Sequence, residues 1–149
     1  MHSPLISIAV PIYNTARYLP AALDSLLAQD YPHWEALLWD DGSSDGSGQI
    51  AADYAARDAR FRVLGDGCNR GYATATATAL TQARGAFIGV LDSDDLLEPS
   101  ALSALQAYLQ AQPSLGMAYS QHLEIAEDGT LLGLGTRCNT PYSAQHLLV

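Results

Sequence analysis

The sequence has few cysteines, few basic residues and no long apolar segment. Cys68 and Cys138 are the only cysteines in 149 residues, far apart and without metal-ligand spacing, which is typical of reduced thiols in a cytosolic protein. No stretch approaches the roughly 20 apolar residues that a spanning helix requires. No Lys or Arg precedes the short apolar stretch 5–10, so secretion is not indicated. We therefore expect a soluble, cytoplasmic chain, leaving open a peripheral membrane attachment through residues beyond Val149.

The shortage of basic residues argues against nucleic acid as a partner. With 7 Lys and Arg against 16 Asp and Glu the formal charge is −9, which repels phosphate backbones. An acidic chain still binds an anionic ligand when a metal ion supplies positive charge. At 48% hydrophobic and 15% charged residues the composition is that of a folded protein, and residues 1–149 are expected to form one domain.

Short apolar segments alternate with helical patterns along the first two thirds of the chain. Apolar runs predict four strands at 5–10, 34–39, 61–64 and 86–91. The spacing of Leu and Ala predicts helices at about 19–30, 47–58 and 99–112. The alternating Thr and Ala of residues 72–84 also suit a strand, but Ala favours a helix and Gly71 and Gly85 bracket the segment, so we predict a helix.

The pattern changes after Gly116. Residues 117–120 and 123–125 are strand-like, and Asp128-Gly129 predicts a hairpin turn before residues 130–134. We therefore expect an α/β fold with a mainly parallel sheet flanked by helices and an antiparallel hairpin at the sheet edge. Ligands of such sheets bind at the carboxyl ends of the strands.

Acidic residues gather in two of the loops that follow predicted strands. Asp40 and Asp41 follow the second strand, and Asp92, Asp94 and Asp95 follow the fourth. Because parallel strands end at one edge of a sheet, these five carboxylates would repel one another unless a cation lies among them. Asp92 and Asp94 project to the same side of an extended chain and can both bind one Mg²⁺ or Mn²⁺.

These acidic residues also have structural interpretations. Asp94 and Asp95 suit the cap of the helix that begins near residue 99, and Asp40 and Asp41 suit a turn. Asp45 is best explained as the cap of the second helix.

Three motifs that lie in the right order and spacing indicate a family. Residues 7–14 (SIAVPIYN), 40–45 (DDGSSD) and 91–95 (LDSDD) together resemble the family 2 inverting glycosyltransferases, which have the Rossmann-like GT-A fold. The resemblance runs from about residue 3 to residue 134. It implies metal-dependent transfer of a sugar from a nucleotide-diphosphate sugar, commonly UDP-linked, to a hydroxyl of a saccharide or lipid-linked acceptor, with inversion.

The resemblance also assigns the metal ligands. Asp94 would be the principal ligand of Mn²⁺ or Mg²⁺, with Asp92 beside it. Asp95 would lie near the donor sugar.

The nucleotide contacts implied by the resemblance lie in three loops. Tyr13, which by itself suits either base stacking or core packing, would stack on the base, and Pro11 would line the base pocket through its backbone. Asp41 would accept a hydrogen bond from the base imide, with Asp40 supporting it. Arg70 either reaches the diphosphate or is exposed, because the family more often carries an Arg-Asn pair inside the following helix.

The general base that inversion requires is not identified. In the family it lies well after the metal motif, whereas the acids after residue 98 are Glu124, Glu127 and Asp128, which better suit a solvated hairpin. We therefore expect the donor-binding portion of a longer enzyme. The alternative is a non-catalytic nucleotide-sugar-binding fragment or interaction module. A nucleotidyltransferase ranks lower, because no Gly-rich phosphate loop follows the first strand.

Overall fold

The structure, a computed structural model, describes residues 3–135. The chain divides into two compact units, the first ending at Gln106 and the second beginning at Ala107. The elements of the first unit follow one another as β1 (Ile6–Ile12), α1 (Leu19–Leu27), β2 (Trp34–Asp40), α2 (Ser47–Arg57), β3 (Phe61–Leu64), α3 (Tyr72–Leu80) and β4 (Phe87–Val90). Helix α4 (Ala101–Ala111) comes next, with its later residues in the second unit.

The four strands form one parallel sheet in the order β3-β2-β1-β4. The predicted mainly parallel sheet with flanking helices is confirmed. Ile12 is paired with Asp40, so β1 and β2 end side by side. The pairing of β1 with β4 ends at Ala9 and Val90, and Leu91 N–H donates to the carbonyl oxygen of Ala9. The chain therefore leaves β1, β2 and β4 at the same edge of the sheet.

Both faces of the central strand β1 are covered, which explains its continuous apolar sequence. The larger layer of the core contains the even-numbered residues of β1 with leucines of α1 and residues of α2. The smaller layer places Ala9 and Leu37 against Ala75 and Ala79 of α3, all four fully buried. Alanine favours a helix and its small side chain lets α3 approach the sheet closely, so the same residues explain both the helix and its packing.

Two element boundaries differ from the prediction for identifiable reasons. Strand β1 continues through Pro11 to Ile12, because pairing with β4 has already ended and a proline is tolerated where a strand has one neighbour. Helix α3 is a helix as predicted but ends at Leu80 rather than near residue 84. Beyond it, the N–H groups of Arg84 and Gly85 donate to Ser7 Oγ at 3.1 and 2.8 Å, so long-range hydrogen bonds replace further helical turns.

A buried polar cluster at the opposite end of the sheet from the carboxyl edge holds this connection. Glu35 accepts hydrogen bonds from Ser7 Oγ at 2.7 Å, Arg84 N–H at 2.9 Å and Arg62 Nη1 at 2.9 Å. Burial by itself raises the pKa of Glu35, but the bonds from Ser7, Arg62 and Arg84 outweigh it, and the pKa is lower than usual. The charged carboxylate is therefore the form that the fold stabilises.

Replacing Glu35 by glutamine is expected to lower the free energy of unfolding by about 2 kcal/mol at pH 7, because Ser7, Arg62 and Arg84 lose a buried, charged acceptor. A lowered folded-state pKa means that this stabilisation is complete above the unfolded-state pKa of about 4.3 and is lost as the pH falls through the folded value. Urea denaturation at a series of pH values should therefore show the difference between the two proteins shrinking in acid. Exposed Glu98 provides the matched control, and E98Q should leave the unfolding free energy unchanged. Equal stability of E35Q and the wild type would contradict the role of this cluster.

The described part of the second unit contains the predicted hairpin. Strands β5 (Leu123–Ile125) and β6 (Leu131–Leu134) are antiparallel, and Asp128 accepts a hydrogen bond from Thr130 N–H in the turn. Residues 117–120 are not a strand, contrary to the prediction, and β5 and β6 form a two-stranded sheet. The predicted antiparallel hairpin is confirmed.

Two expectations concern the cysteines and the membrane. Cys68 is an exposed free thiol, and Cys138 lies outside the described residues. Within residues 3–135, no helix has the length and apolar character needed to cross a bilayer.

Candidate functional site

A cleft of about 520 Å³ lies where the chain leaves β1, β2 and β4. Its walls come from the loops after these strands and from the start of α3. The lining residues are Pro11, Ile12, Tyr13, Thr15, Asp41, Asn69, Gly71, Tyr72, Ala75, Asp92, Ser93 and Asp94.

Five of the eight residues singled out in the sequence line this cleft. They are Pro11, Tyr13, Asp41, Asp92 and Asp94. Asp40, Arg70 and Asp95 do not line it.

The loop after β1 presents an aromatic side chain to the cleft. Tyr13 is 52% exposed, so it is not packed in the core, and its ring is available to a ligand. Its neighbour Asn14 adopts a left-handed φ of 53°, which asparagine tolerates better than most residues. In this conformation Asn14 N–H donates to Ser43 Oγ at 3.0 Å and its side-chain oxygen accepts from Ser44 N–H at 2.8 Å. Asn14 thereby ties the loop after β1 to the loop after β2.

Asp41 joins two walls of the cleft. Its carboxylate is 3% exposed and accepts hydrogen bonds from Arg70 N–H at 2.9 Å and Gly71 N–H at 2.8 Å. Nearby, Gly42 has a φ of 78°, and a Cβ there would lie 3.0 Å from both Asn69 N and the Gly67 carbonyl oxygen. The loop between β3 and α3 therefore rests directly on the loop after β2, with Asp41 as its anchor.

Asp40 and Arg70 have partners away from the cleft. Asp40 accepts a hydrogen bond from Ser43 N–H at 3.0 Å, and its other oxygen occupies the space that a Cβ at Gly48 would need. Asp40 thus supports the turn that carries Asp41. The guanidinium of Arg70 pairs with Asp66 in its own loop, and both side chains are about half exposed.

The loop Asp92–Asp95, called the acidic loop below, is a turn and not a helix cap. Asp95 N–H donates to the carbonyl oxygen of Asp92 at 3.0 Å, while α4 begins only at Ala101. Asp45 does bind the start of α2 as predicted: it accepts from Ser47 N–H at 3.0 Å, although Gly46 is the capping position.

A tyrosine reaches the acidic loop from α3. The hydroxyl of Tyr72 donates a hydrogen bond of 2.7 Å to Asp92 Oδ1. This bond to a carboxylate, together with partial burial, raises the pKa of Tyr72 above its ordinary value, so the phenol remains protonated and acts as a donor.

The charge of the cleft is one-sided. Asp41, Asp92 and Asp94 are its ionisable carboxylates, and none of the lining residues in the described part of the chain is basic. Residues 3–135 contain no group of three or more His, Cys, Asp or Glu arranged to hold a metal by themselves. Mg²⁺ and Mn²⁺ in phosphate-binding sites commonly use one or two carboxylates and complete their shell with water and substrate phosphates. Asp92 and Asp94 supply two carboxylates of this kind to the cleft.

Asn69 and Tyr72 were not predicted as lining residues, although they belong to the same edge of the sheet. Both follow β3, whose carboxyl end also lies at this edge. Ligands of parallel sheets bind at the carboxyl ends of the strands, so the position of β3 in the sheet is the signal that predicts this loop as a further wall of the cleft.

Comparison with known proteins gives a consistent result. The family model "Glycosyl transferase family 2" matches residues 7–132. A chondroitin synthase of Escherichia coli is 35% identical over 132 residues, which is 89% of this chain and 19% of that protein. The first five curated relatives are matched over 14% to 51% of their own length, so the chain spans only part of them.

Two solved structures show the same fold at TM-scores of 0.69. One is Staphylococcus aureus TarS (residues 1–349) in complex with UDP-GlcNAc, with 28% identity, 78% of this chain covered and 37% of that chain. The other is the mannosyltransferase PcManGT from Pyrobaculum calidifontis in complex with GDP-Man and Mn²⁺, with 30% identity and coverages of 77% and 34%.

Proposed function

Because the chain belongs to glycosyl transferase family 2, we propose that its cleft binds a nucleotide-diphosphate sugar together with a divalent cation. The whole protein then transfers the sugar, with inversion, to a hydroxyl of a saccharide or lipid-linked acceptor. The observation that carries the proposal is the cleft at the carboxyl ends of the strands, lined by three carboxylates and, among the described residues, by no basic side chain.

The electrostatics of the cleft support a cation as part of the donor site. A diphosphate is itself an anion, and the carboxylates of Asp92 and Asp94 would repel it. Asp92 and Asp94 would hold Mn²⁺ or Mg²⁺, which would offset this negative charge and supply Lewis-acid stabilisation of the departing nucleotide diphosphate. Mn²⁺ accompanies GDP-Man in PcManGT, a structure that is 30% identical to this chain.

Uracil is the proposed base. Asp41 already accepts two backbone N–H groups, and its remaining lone pairs suit one further donor such as the uracil imide. The half-exposed ring of Tyr13 is the proposed stacking surface, and the Pro11 backbone closes the pocket beside it. UDP-GlcNAc in the TarS complex supports this choice.

Calorimetric titration tests the donor site. The protein is titrated with UDP, and separately with GDP, with and without Mn²⁺. We expect UDP to bind at least about 100-fold more tightly with Mn²⁺, a difference of about 3 kcal/mol, and to be preferred over GDP. Failure to bind either nucleotide in both conditions would overturn the proposal.

A second candidate function, binding without turnover, is favoured by one observation. Two of the acids that follow α4 have partners beside them in the hairpin: Asp128 accepts a hydrogen bond from Thr130 N–H in the turn, and Glu124 lies 4.0 Å from His122 Nε2. A general base for the acceptor hydroxyl is therefore still to be found. Donor hydrolysis and sugar transfer by these 149 residues, measured beside a longer protein that continues past Val149, would separate the candidates. Turnover only in the longer protein assigns these residues to donor binding alone.

A further inference from the structure

The acidic loop contains a buried serine, Ser93, between the two proposed metal ligands Asp92 and Asp94. Ser93 is 5% exposed, whereas its neighbour Asp94 is exposed. Ser93 Oγ accepts a hydrogen bond of 3.0 Å from the hydroxyl of Thr15, in the loop after β1. A constraint on Ser93 is transmitted directly to Asp92 and Asp94, because each is one peptide unit away.

Thr15 is itself fixed by the start of α2. Its backbone N–H donates to Ser47 Oγ at 3.0 Å, and Ser47 is fully buried. The Ser47 hydroxyl in turn donates to Asp45 Oδ1 at 2.6 Å. The other oxygen of Asp45 accepts from the N–H of Ala16, next to Thr15, at 2.8 Å. The backbone around Thr15 is therefore held at two successive N–H groups.

These hydrogen bonds form one continuous path from the start of α2 to the acidic loop. It runs from α2 through Asp45 and Ser47 to Thr15, and from the Thr15 hydroxyl to Ser93 in the acidic loop. The Thr15 side chain is the link that crosses from the loop after β1 to the loop after β4. Without its hydroxyl, this path would end at the backbone of Thr15.

We propose that Thr15 is a positioning residue that fixes the acidic loop through Ser93 and thereby sets the affinity of the cleft for the divalent cation. The inference rests on the proposed donor site. Groups that hold metal ligands in place without touching the metal typically change metal affinity by 10–100-fold when they are removed. Asp94 is exposed and a turn is easily deformed, so a lost tether should increase the number of orientations that its carboxylate samples.

The test compares Thr15→Val, which removes the hydroxyl at nearly constant shape, with Thr15→Ser, which keeps it. The Kd for Mn²⁺ is measured at saturating UDP from the electron paramagnetic resonance signal of free Mn²⁺. We expect T15V to weaken Mn²⁺ binding by about tenfold or more, and T15S to recover most of it. Thr81→Val is the control, because Thr81 is exposed, does not line the cleft, and uses its hydroxyl only in local bonds to the Thr78 carbonyl oxygen and from Gln82 Nε2 among the described residues.

Two further measurements separate positioning from other roles. UDP affinity without Mn²⁺, followed by ligand-observed nuclear magnetic resonance, should be the same in T15V and the wild type, whereas a direct nucleotide contact would lower it. Combining T15V with Ser93→Ala should add less than about threefold to the loss of T15V alone, because both substitutions break the same bond. Urea denaturation verifies that each variant is folded.

The outcomes distinguish this inference from the proposed function. If the wild type binds UDP and Mn²⁺ but T15V binds Mn²⁺ equally well, the positioning role is wrong and the donor site stands. An equal loss of UDP affinity without metal, or additive losses in the double variant, also overturns the positioning role. If the wild type binds neither nucleotide nor Mn²⁺, the proposed donor site and the positioning role of Thr15 are both wrong.

Discussion

Replacing Asp94 by alanine should abolish the gain in UDP affinity that Mn²⁺ provides. We expect UDP to bind at least about 100-fold more weakly than to the wild type at saturating Mn²⁺, because losing one partner of a close charge pair typically costs 2–5 kcal/mol. UDP affinity without Mn²⁺ should not fall, since the variant removes a repelling carboxylate and leaves the base pocket intact. Calorimetric titration in the two conditions measures both effects.

The control for this variant is Asp53→Ala. Asp53 is exposed on α2 and accepts a hydrogen bond only from the side chain of Gln49. D53A removes the same charge from the protein and should bind UDP and Mn²⁺ like the wild type. A response to Mn²⁺ in D94A that matches the wild type would show that the cation is held elsewhere.

Replacing Asp41 by alanine should affect both stability and nucleotide binding. The N–H groups of Arg70 and Gly71 both lose the buried carboxylate that accepts from them, and a hydrogen bond to a charged group contributes about 1.5–3 kcal/mol. We therefore expect the free energy of unfolding to fall by about 4 kcal/mol in urea denaturation. The loop between β3 and α3, which brings Asn69 and Tyr72 to the cleft, loses its anchor, so UDP affinity should fall with and without Mn²⁺.

The two aspartate variants thus differ in kind. D94A changes the response to the metal and leaves metal-free binding, whereas D41A weakens binding in both conditions and lowers stability. D53A serves as the control again. A D41A protein with the stability of the wild type would contradict the assignment of Asp41 as the anchor of this wall.

The fold was largely predictable because local and tertiary preferences agree. The continuous apolar run of β1 and the alanines of α3 are what a strand and a helix at a covered sheet require. The prediction failed where residues far apart in the sequence determine the end of an element. Helix α3 ends early because Ser7 and Glu35 bind the backbone at Arg84 and Gly85, and no local pattern reveals those partners. The hairpin was predicted from its turn, but the absence of a strand at residues 117–120 was not.

The site was predictable to the level of strand ends and no further. The rule for parallel sheets brought Tyr13, Asp41, Asp92 and Asp94 to one cleft. It could not tell that Asp40 turns to Ser43, since that depends on the local turn. Nor could it tell that the hydroxyls of Thr15 and Tyr72 reach the acidic loop from two sides, since these contacts join residues far apart in the chain.

The central claim is that Asp92 and Asp94 hold a nucleotide diphosphate through a shared divalent cation. A crystal structure of the protein grown with UDP and Mn²⁺ tests it most directly, because the anomalous signal of manganese locates the cation independently of the nucleotide. We predict manganese bound by Asp94 and the diphosphate, with Asp92 beside it and the uracil ring against Tyr13. An ordered UDP whose diphosphate lies away from the acidic loop, or manganese at another site, would contradict it.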